Sequence, residues 1–259
     1  PILAAPSLSF PLSSARKSGW LPPNIFLDNR GGLETGVPYY WNIAPQRDAT
    51  FTPFVMTKRG VGLDSEFRYL EGSHNGRINV DLLPGDRVFG RSRWSLKFNN
   101  DGQVFGDWKY RLRSERVSDD DYWKDMSRRV ESQTPRLLAN DFTLNRQREL
   151  SWGVIDTYAR VQRWQTLQGT DAPFDSPYQR SPQVGVRVTT AADEAVLDSF
   201  RPWGRKARLE GSLELEYNRF DLPGSALPAQ ARGGQRLHAL GHVAAPLGGE
   251  AWWFIPRAS

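Results

Sequence analysis

The feature that most constrains this chain is a strict alternation of apolar and polar side chains between residues 207 and 217. The apolar or glycine positions are Ala207, Leu209, Gly211, Leu213, Leu215 and Tyr217, and the positions between them are Arg208, Glu210, Ser212, Glu214 and Glu216. Successive side chains of a β-strand point to opposite faces, whereas a helix would mix the two sets around its circumference. Because burying so many charges in an apolar core is costly, one face must meet apolar matter and the other must meet water.

The same alternation recurs along the chain. Its apolar members are Trp94, Leu96 and Phe98, then Trp108, Tyr110 and Leu112, then Val184, Val186 and Val188, with a less regular set over 236–243. Glycine-, proline- and asparagine-rich turn signals separate the segments at 29–32, 58–60, 72–76, 84–86 and 99–102. Strand-sized segments between such turns predict about ten to twelve antiparallel strands of roughly ten residues each.

Composition bears on whether these strands belong to a soluble or to a membrane protein. The mean hydropathy is −0.58, and no run approaches the roughly 18 apolar residues of a transmembrane helix. A barrel strand is apolar on one face only, so a low mean hydropathy is compatible with a barrel. Aromatic residues make up 12% of the chain and include ten Trp, which is typical of aromatic belts at two membrane interfaces. The sequence therefore predicts an all-β, antiparallel transmembrane β-barrel.

Three segments are too long and polar for tight turns, namely 118–135, 168–181 and 222–234. Long loops that alternate with short turns are typical of a barrel with one elaborate and one plain rim. The first of these segments contains the acidic run 118–123, for which we weigh a solvated loop against weak cation binding. The run lacks the spaced ligands and closing Glu of an EF-hand, which favours the solvated loop.

The sequence contains few candidates for catalytic or metal-binding residues. The chain contains no Cys and only three His, and it lacks a Gly-x-Ser-x-Gly elbow, a P-loop and a dinucleotide fingerprint. The sequence therefore predicts neither an enzyme nor a metal site, and no cofactor is expected. The net charge of +5 is modest and spread along the chain, which suits a polar interior that handles anions and does not require a nucleic-acid partner.

Three stretches resemble the LptD family of lipopolysaccharide-assembly proteins. They are 10–21, 37–50 with the string PYYWNIAPQRDAT, and 56–70 with MTKRG and EFRYL. The resemblance is specific over 10–84, and over 85–259 it rests on continuing strand pattern and order. It implies that residues 1–20 are a connector from a preceding periplasmic domain and that residues 21–259 are strands of an incomplete outer-membrane barrel. The chain would then be an interior piece of a longer protein.

The resemblance also implies a function. Members of this family receive lipopolysaccharide from a periplasmic bridge of Lpt proteins and insert it into the outer leaflet of the Gram-negative outer membrane. The sugar part passes through the lumen, and the lipid leaves between the first and last strands. A lipoprotein, LptE, plugs the barrel. Two other functions remain open from the residues alone: a general diffusion porin, and a soluble Trp-rich carbohydrate-binding β-protein.

Two groups of site residues follow. Pro23 and Pro38 match prolines in the family's first two strands, and because proline has no N–H, each deletes one potential ladder bond worth about 0.5–1.5 kcal/mol net. They are expected to ease lateral opening, although prolines that merely bound strands would look the same. The second group comprises polar residues expected to face the lumen, as a lipopolysaccharide path, a plug contact or simply a solvated wall: Lys109, Arg111, Arg113, Arg208, Glu210, Glu214 and Glu216.

Tryptophans near strand ends form a further expectation. Trp41, Trp94, Trp108, Trp152, Trp164, Trp203, Trp252 and Trp253, with the Tyr39–Tyr40 pair, are expected to form interfacial girdles. Sugar stacking is the alternative use of so many aromatic rings.

Overall fold

A computed structural model describes residues 16–126, 137–167, 176–190, 210–222, 233–245, 247–248 and 253–259. These residues form antiparallel strands and one four-residue helix. The strands are β1 (Gly19–Trp20), β2 (Asn24–Asp28), β3 (Gly32–Gly36), β4 (Tyr39–Ala44), β5 (Arg47–Met56), β6 (Gly60–Leu70), β7 (His74–Leu83), β8 (Arg93–Val104), β9 (Trp108–Val117), β10 (Leu137–Leu150), β11 (Gly153–Thr166), β12 (Gln179–Thr190), β13 (Glu210–Asp221), β14 (Gly233–Ala244), β15 (Leu247–Gly248), β16 (Trp253–Phe254) and β17 (Arg257–Ala258); the helix is α1 (Tyr122–Asp125).

The antiparallel all-β prediction is confirmed in the described ranges. The ten strands β5 to β14 have 10–14 residues each, in agreement with the expected number and length. The helix α1 lies in the segment that was predicted as a long loop. In the part of the chain that the structure describes, no helix is long and apolar enough to cross a membrane.

The chain divides into two compact units, and the first comprises Pro1–Phe98 with Arg116–Arg129. In it β4 pairs with β5, β5 with β6 and β6 with β7. The short strand β1 pairs with β4, β2 pairs with β3, and β3 pairs with β5. Strand β5 is thus the common partner of β3 and β4.

The second unit comprises Asn99–Glu115 with Val130–Ser259. In it β9, β10, β11, β12, β13 and β14 pair successively, and β14 also pairs with β17. The ladder between β10 and β11 runs from Leu137 to Leu150 without a register shift. A bulge interrupts the pairing of β12 with both neighbours near residues 180–183.

The two faces of the strands carry opposite chemistry. In the first unit, the register places Val55, Val61 and Leu82 on one face, where they are 51%, 59% and 40% exposed. The opposite face carries Asp48 and Asp81, each only 5% exposed. The buried Asp48 is paired with Arg68 at 2.7 Å, so the distinctive feature is the opposite face, where several large apolar side chains are exposed together. The sheet is therefore built to meet apolar surroundings on its outer face.

Candidate functional site

The first hairpin of the first unit is interrupted where its prolines lie. Pro23 stands directly before β2, and Pro38 stands directly before β4. Pro22 shares the gap between β1 and β2. Both predicted prolines therefore lie at breaks between short strands, where each break removes ladder hydrogen bonds that a continuous strand would form.

The two breaks face each other across the hairpin. Trp20 pairs with Tyr39 below the breaks, and Asn24 pairs with Gly36 above them. Three residues on the first strand thus oppose two on the second, which is the arrangement of a β-bulge. One backbone bond bridges the gap, from the N–H of Leu21 to the carbonyl of Pro38 at 2.8 Å. The hairpin consists of a base, β1 with β4, and a tip, β2 with β3.

A third proline lies at the same level on the neighbouring strand, and the sequence analysis did not single it out. The N–H of Val37 donates to the carbonyl of Pro53 in β5 at 3.2 Å. The signal was present in the sequence, because residues 23, 38 and 53 follow one another at intervals of fifteen. Its meaning depended on the strand register, which spacing alone does not provide.

The predicted polar residues of β9 pair with a carboxylate on the preceding strand. Arg111 donates from Nε to Asp101 at 3.0 Å, and the Nη2 of Arg113 lies 2.9 Å from the same carboxylate. Lys109 is exposed on the face that these two arginines share. These contacts place two cations on one wall of the second unit and partly neutralise them.

The polar residues of β13 lie on the same kind of face. Glu214 accepts from Nε of Arg187 at 2.9 Å. Glu216 accepts from Gln183 at 2.8 Å and also binds the hydroxyl of Tyr158. Glu210 is exposed at the start of the strand. Arg208 lies outside the described residues, as do Trp203 and Trp252.

The residues between these carboxylates form the opposite, apolar face. Leu213 is 46% exposed and pairs with Val188 on one side and Gly241 on the other. This arrangement agrees with the alternation in the sequence. Trp164 departs from the expected girdle, because the unbroken ladder of β11 places it on the face of Tyr158 and Arg160. Trp152 is exposed in the turn between β10 and β11, and Trp41 is exposed within β4.

A buried cluster of charged residues lies at the opposite end of the first unit from β1. Arg93 donates to Asp119 from Nε at 2.9 Å and from Nη2 at 2.7 Å, and its Nη1 lies 2.6 Å from Asp125. Arg59 donates to Asp86 at 2.6 Å and lies 3.2 Å from Asp125. These five residues, which we call the ionic cluster, join the β5–β6 turn, the β7–β8 loop and the segment after β9.

The ionic cluster changes the interpretation of the acidic run 118–123. Asp119 is buried against Arg93, and Asp121 pairs with Lys124 at 2.9 Å. The expectation of a solvated loop was therefore wrong for Asp119, whose carboxylate is bound by an arginine. Sequence analysis missed the cluster because its members come from three segments that lie far apart in the sequence.

Asp86 remains ionised inside this cluster. Burial raises the pKa of Asp86, but hydrogen bonds from Arg59 and from the backbone N–H groups of Val88 and Phe89 outweigh burial and hold that pKa below its ordinary value. The carboxylate is consequently an acceptor over the whole physiological pH range, and the loops remain joined by ion pairs.

The sequence of this chain is similar to that of known proteins with the same kind of fold. The family model for LptD, described as LPS transport system D, matches residues 91–259. The chain belongs to the LptD family. LptD proteins are outer-membrane β-barrels, so the transmembrane fold class predicted from the alternation is confirmed. The matched range lies within residues 85–259, where the sequence resemblance rested on strand pattern.

Curated relatives extend the LptD match to the remainder of the chain. The LPS-assembly protein LptD of Albidiferax ferrireducens is 47% identical over 72% of this chain. Its counterpart in Polaromonas sp. is 42% identical over 85%, and that in Cupriavidus necator is 32% identical over 100%. The chain spans 24%, 26% and 29% of the length of these three relatives, respectively.

Proposed function

We propose that this chain forms the first part of the barrel of an outer-membrane lipopolysaccharide translocon. The main support for the proposal is the interrupted pairing of the first hairpin, where the breaks at Pro23 and Pro38 face each other. A strand pair that keeps few hydrogen bonds at one level opens at low cost, since each missing bond removes about 0.5–1.5 kcal/mol. A weakly bonded hairpin beside the seam between the first and last strands suits a protein that releases a lipid sideways.

The polar face supports the second part of the proposal. Arg111, Arg113 and Arg187 offer guanidinium groups on this face, and guanidinium binds phosphate and carboxylate through paired hydrogen bonds. The anionic sugar part of lipopolysaccharide would move along this wall, while the acyl chains leave through the seam. A plug lipoprotein of the LptE kind is the expected partner of the same wall.

The remaining parts of the assembly follow from the family. Residues 1–20 connect to a periplasmic domain that receives lipopolysaccharide from the Lpt bridge, and residues 21–259 supply barrel strands. The direction of transport is set by energy delivered from the inner membrane, since this mechanism requires no bond-breaking chemistry in the barrel. Neither a cofactor nor nucleic acid takes part.

Photocrosslinking of neighbouring residues tests this proposal. A photoreactive amino acid is placed at Glu214 or at Leu213 of the full-length protein in living cells. These adjacent positions lie on opposite faces of β13. We expect lipopolysaccharide adducts from position 214 and not from position 213.

Two results contradict the proposal. Equal labelling at both positions would show that the polar face is not the path. Labelling at neither position, together with unchanged lipopolysaccharide at the cell surface after depletion of the protein, would favour a general diffusion barrel.

A further inference from the structure

Strand β5 crosses the level of the proline breaks without interruption, yet it contains Pro53. In an antiparallel ladder, two residues of a hydrogen-bonded pair exchange two bonds, one in each direction. The N–H of Val37 donates to the carbonyl of Pro53 at 3.2 Å. Proline has no N–H, so the return bond from residue 53 to Val37 cannot form.

Pro38 has the same effect on the other side of the second strand. The N–H of Leu21 donates to the carbonyl of Pro38 at 2.8 Å, and Pro38 has no N–H for the return bond. Val37 and Pro38 are consecutive residues that face opposite neighbours. At this one level, therefore, the second strand has lost a bond toward the first strand and a bond toward the third.

We propose that Pro53 is a positioning residue for lipid release, and that with Pro38 it makes the second strand a hinge. The hairpin tip (Asn24–Gly36) would swing as one body about Val37 and Pro38, while the hairpin base stays paired with β5. This inference rests on the proposed function. It assigns the moving part to the tip of the first hairpin and goes beyond weakening of the seam between the first and last strands.

The hydrogen bond that is missing at Pro53 is one toward Val37 and not one toward β6. Pro53 pairs with Leu63 of β6 within a register that runs unbroken from Arg47 to Met56. In an antiparallel strand, the N–H and C=O of one residue point toward the same neighbour. Since the carbonyl of Pro53 points toward Val37, the missing N–H removes nothing from the bonds to β6, and β5 remains a fixed frame.

Strand β3 of the tip pairs with β5 from Glu34 to Gly36, so this three-residue ladder has to open when the tip swings. The far end of the tip is also bonded to the β5–β6 turn. Lys58 donates from its backbone N–H to Gly31 at 3.2 Å and from Nζ to Asn29 at 2.8 Å. Arg59 donates from Nε to the carbonyl of Arg30 at 3.3 Å, and its Nη1 belongs to the ionic cluster. The turn 57–59 thus holds the far end of the tip by hydrogen bonds, and Arg59 of this turn is itself paired with the buried carboxylate of Asp86.

Two disulfide locks test the hinge in the full-length protein. The tip lock replaces Glu34 and Met56 with Cys, and the base lock replaces Tyr40 and Thr50. Both pairs alternate with the hydrogen-bonded pair of Val37 and Pro53, so both are closely spaced non-hydrogen-bonded pairs and are matched in geometry. The readout is the amount of lipopolysaccharide at the cell surface before and after reduction, with the four single-Cys variants as controls.

The hinge predicts that the oxidised tip lock lowers surface lipopolysaccharide at least several-fold, that reduction restores it, and that the oxidised base lock has no effect. Equal inhibition by both locks, or by neither, would overturn the hinge. In either case the single-Cys variants still report whether the protein delivers lipopolysaccharide. If they do not, the proposed function itself fails, and the two failures are distinguishable.

Hydrogen exchange provides a second measurement that does not depend on transport. The P53A variant restores the N–H opposite Val37, and we expect exchange of the Val37 amide to slow on the order of two- to tenfold. The P45A variant, in the turn between β4 and β5, also gains an N–H and should leave Val37 unchanged. Unaltered exchange at Val37 in P53A would show that Pro53 does not loosen the hinge.

Discussion

Arg93 holds Asp119 through two parallel hydrogen bonds, from Nε at 2.9 Å and from Nη2 at 2.7 Å, and both side chains are almost fully buried. Paired bonds between guanidinium and carboxylate are among the strongest polar contacts in proteins. The guanidinium of Arg93 also lies 4.3 Å from the centre of the Phe89 ring. Arg93 therefore joins the start of β8 to the segment that follows β9.

Replacement of Arg93 by Met should destabilise the protein strongly. The change leaves the carboxylates of Asp119 and Asp125 without their main partner, and removal of one member of a buried ion pair costs roughly 3–5 kcal/mol. The measurement is the urea dependence of unfolding of the full-length protein in detergent. R87M is the control, because Arg87 is exposed in the loop between β7 and β8, and it should change stability by less than about 0.5 kcal/mol.

A double variant separates charge burial from packing. R93M combined with D119L removes both charges, and a buried ion pair replaced by apolar residues of similar volume is often neutral. We expect the double variant to recover part of the lost stability. A double variant that is less stable than R93M would contradict this interpretation of the ionic cluster.

The pKa of Asp86 predicts how the β7–β8 loop responds to acid. This pKa lies below its ordinary value of 3.8, so the folded state favours the carboxylate. The stabilising contribution is therefore complete above pH 4 and is lost as the pH falls through the folded-state pKa. Hydrogen exchange of the Val88 and Phe89 amides, corrected for intrinsic rates, should show protection that persists to pH 4 and then declines.

D86N is the matched variant for the acid response. It lacks the titrating carboxylate, so protection of the two amides should no longer change between pH 5 and pH 3 on account of residue 86. Loss of protection in the natural protein already near pH 5 would mean that the pKa of Asp86 is raised and would contradict the prediction.

The two faces of β13 predict opposite responses to an added charge. Leu215 faces outward near the middle of the strand, and Ser212 lies on the polar face. L215R should cost roughly 2–4 kcal/mol in lipid vesicles, the range for arginine at the bilayer midplane of a barrel. S212R should change stability far less, as measured by denaturant unfolding in the same vesicles. Similar costs for both variants would show that the faces are not divided between lipid and water.

Glycine is required at position 62, where the Phe54 ring packs against β6. A Cβ at Gly62 would overlap the Phe54 ring and lie 2.6 Å from the Leu82 carbonyl oxygen. G62A should therefore destabilise by about 1–3 kcal/mol, because overpacking forces neighbouring groups to move. G72A is the control, since a Cβ at Gly72 meets no atom within 4 Å. Equal thermal stability of the two variants would refute the packing argument.

The alternation around Leu213 and Glu214 was sufficient to predict a strand with two chemically different faces. Alternation is a local property: the direction of each side chain depends on its own backbone, so neighbours in sequence already determine which residues share a face. Four of the five turn signals lie at strand ends, but the turn predicted at 99–102 was wrong, because these residues continue β8. The resemblance around PYYWNIAP added the family, which the comparisons confirmed.

The register and the meeting of distant segments were decided only by the tertiary structure. Pro53 lies opposite Val37 because of how β5 pairs with β3 and β4, and no local pattern specifies that alignment. The ionic cluster brings together Arg59, Asp86 and Arg93 with two acidic residues that follow β9, and each alone is an ordinary charged residue of a turn or strand end. Which charges become buried partners depends on which strand ends lie side by side, and that is a property of the assembled sheet.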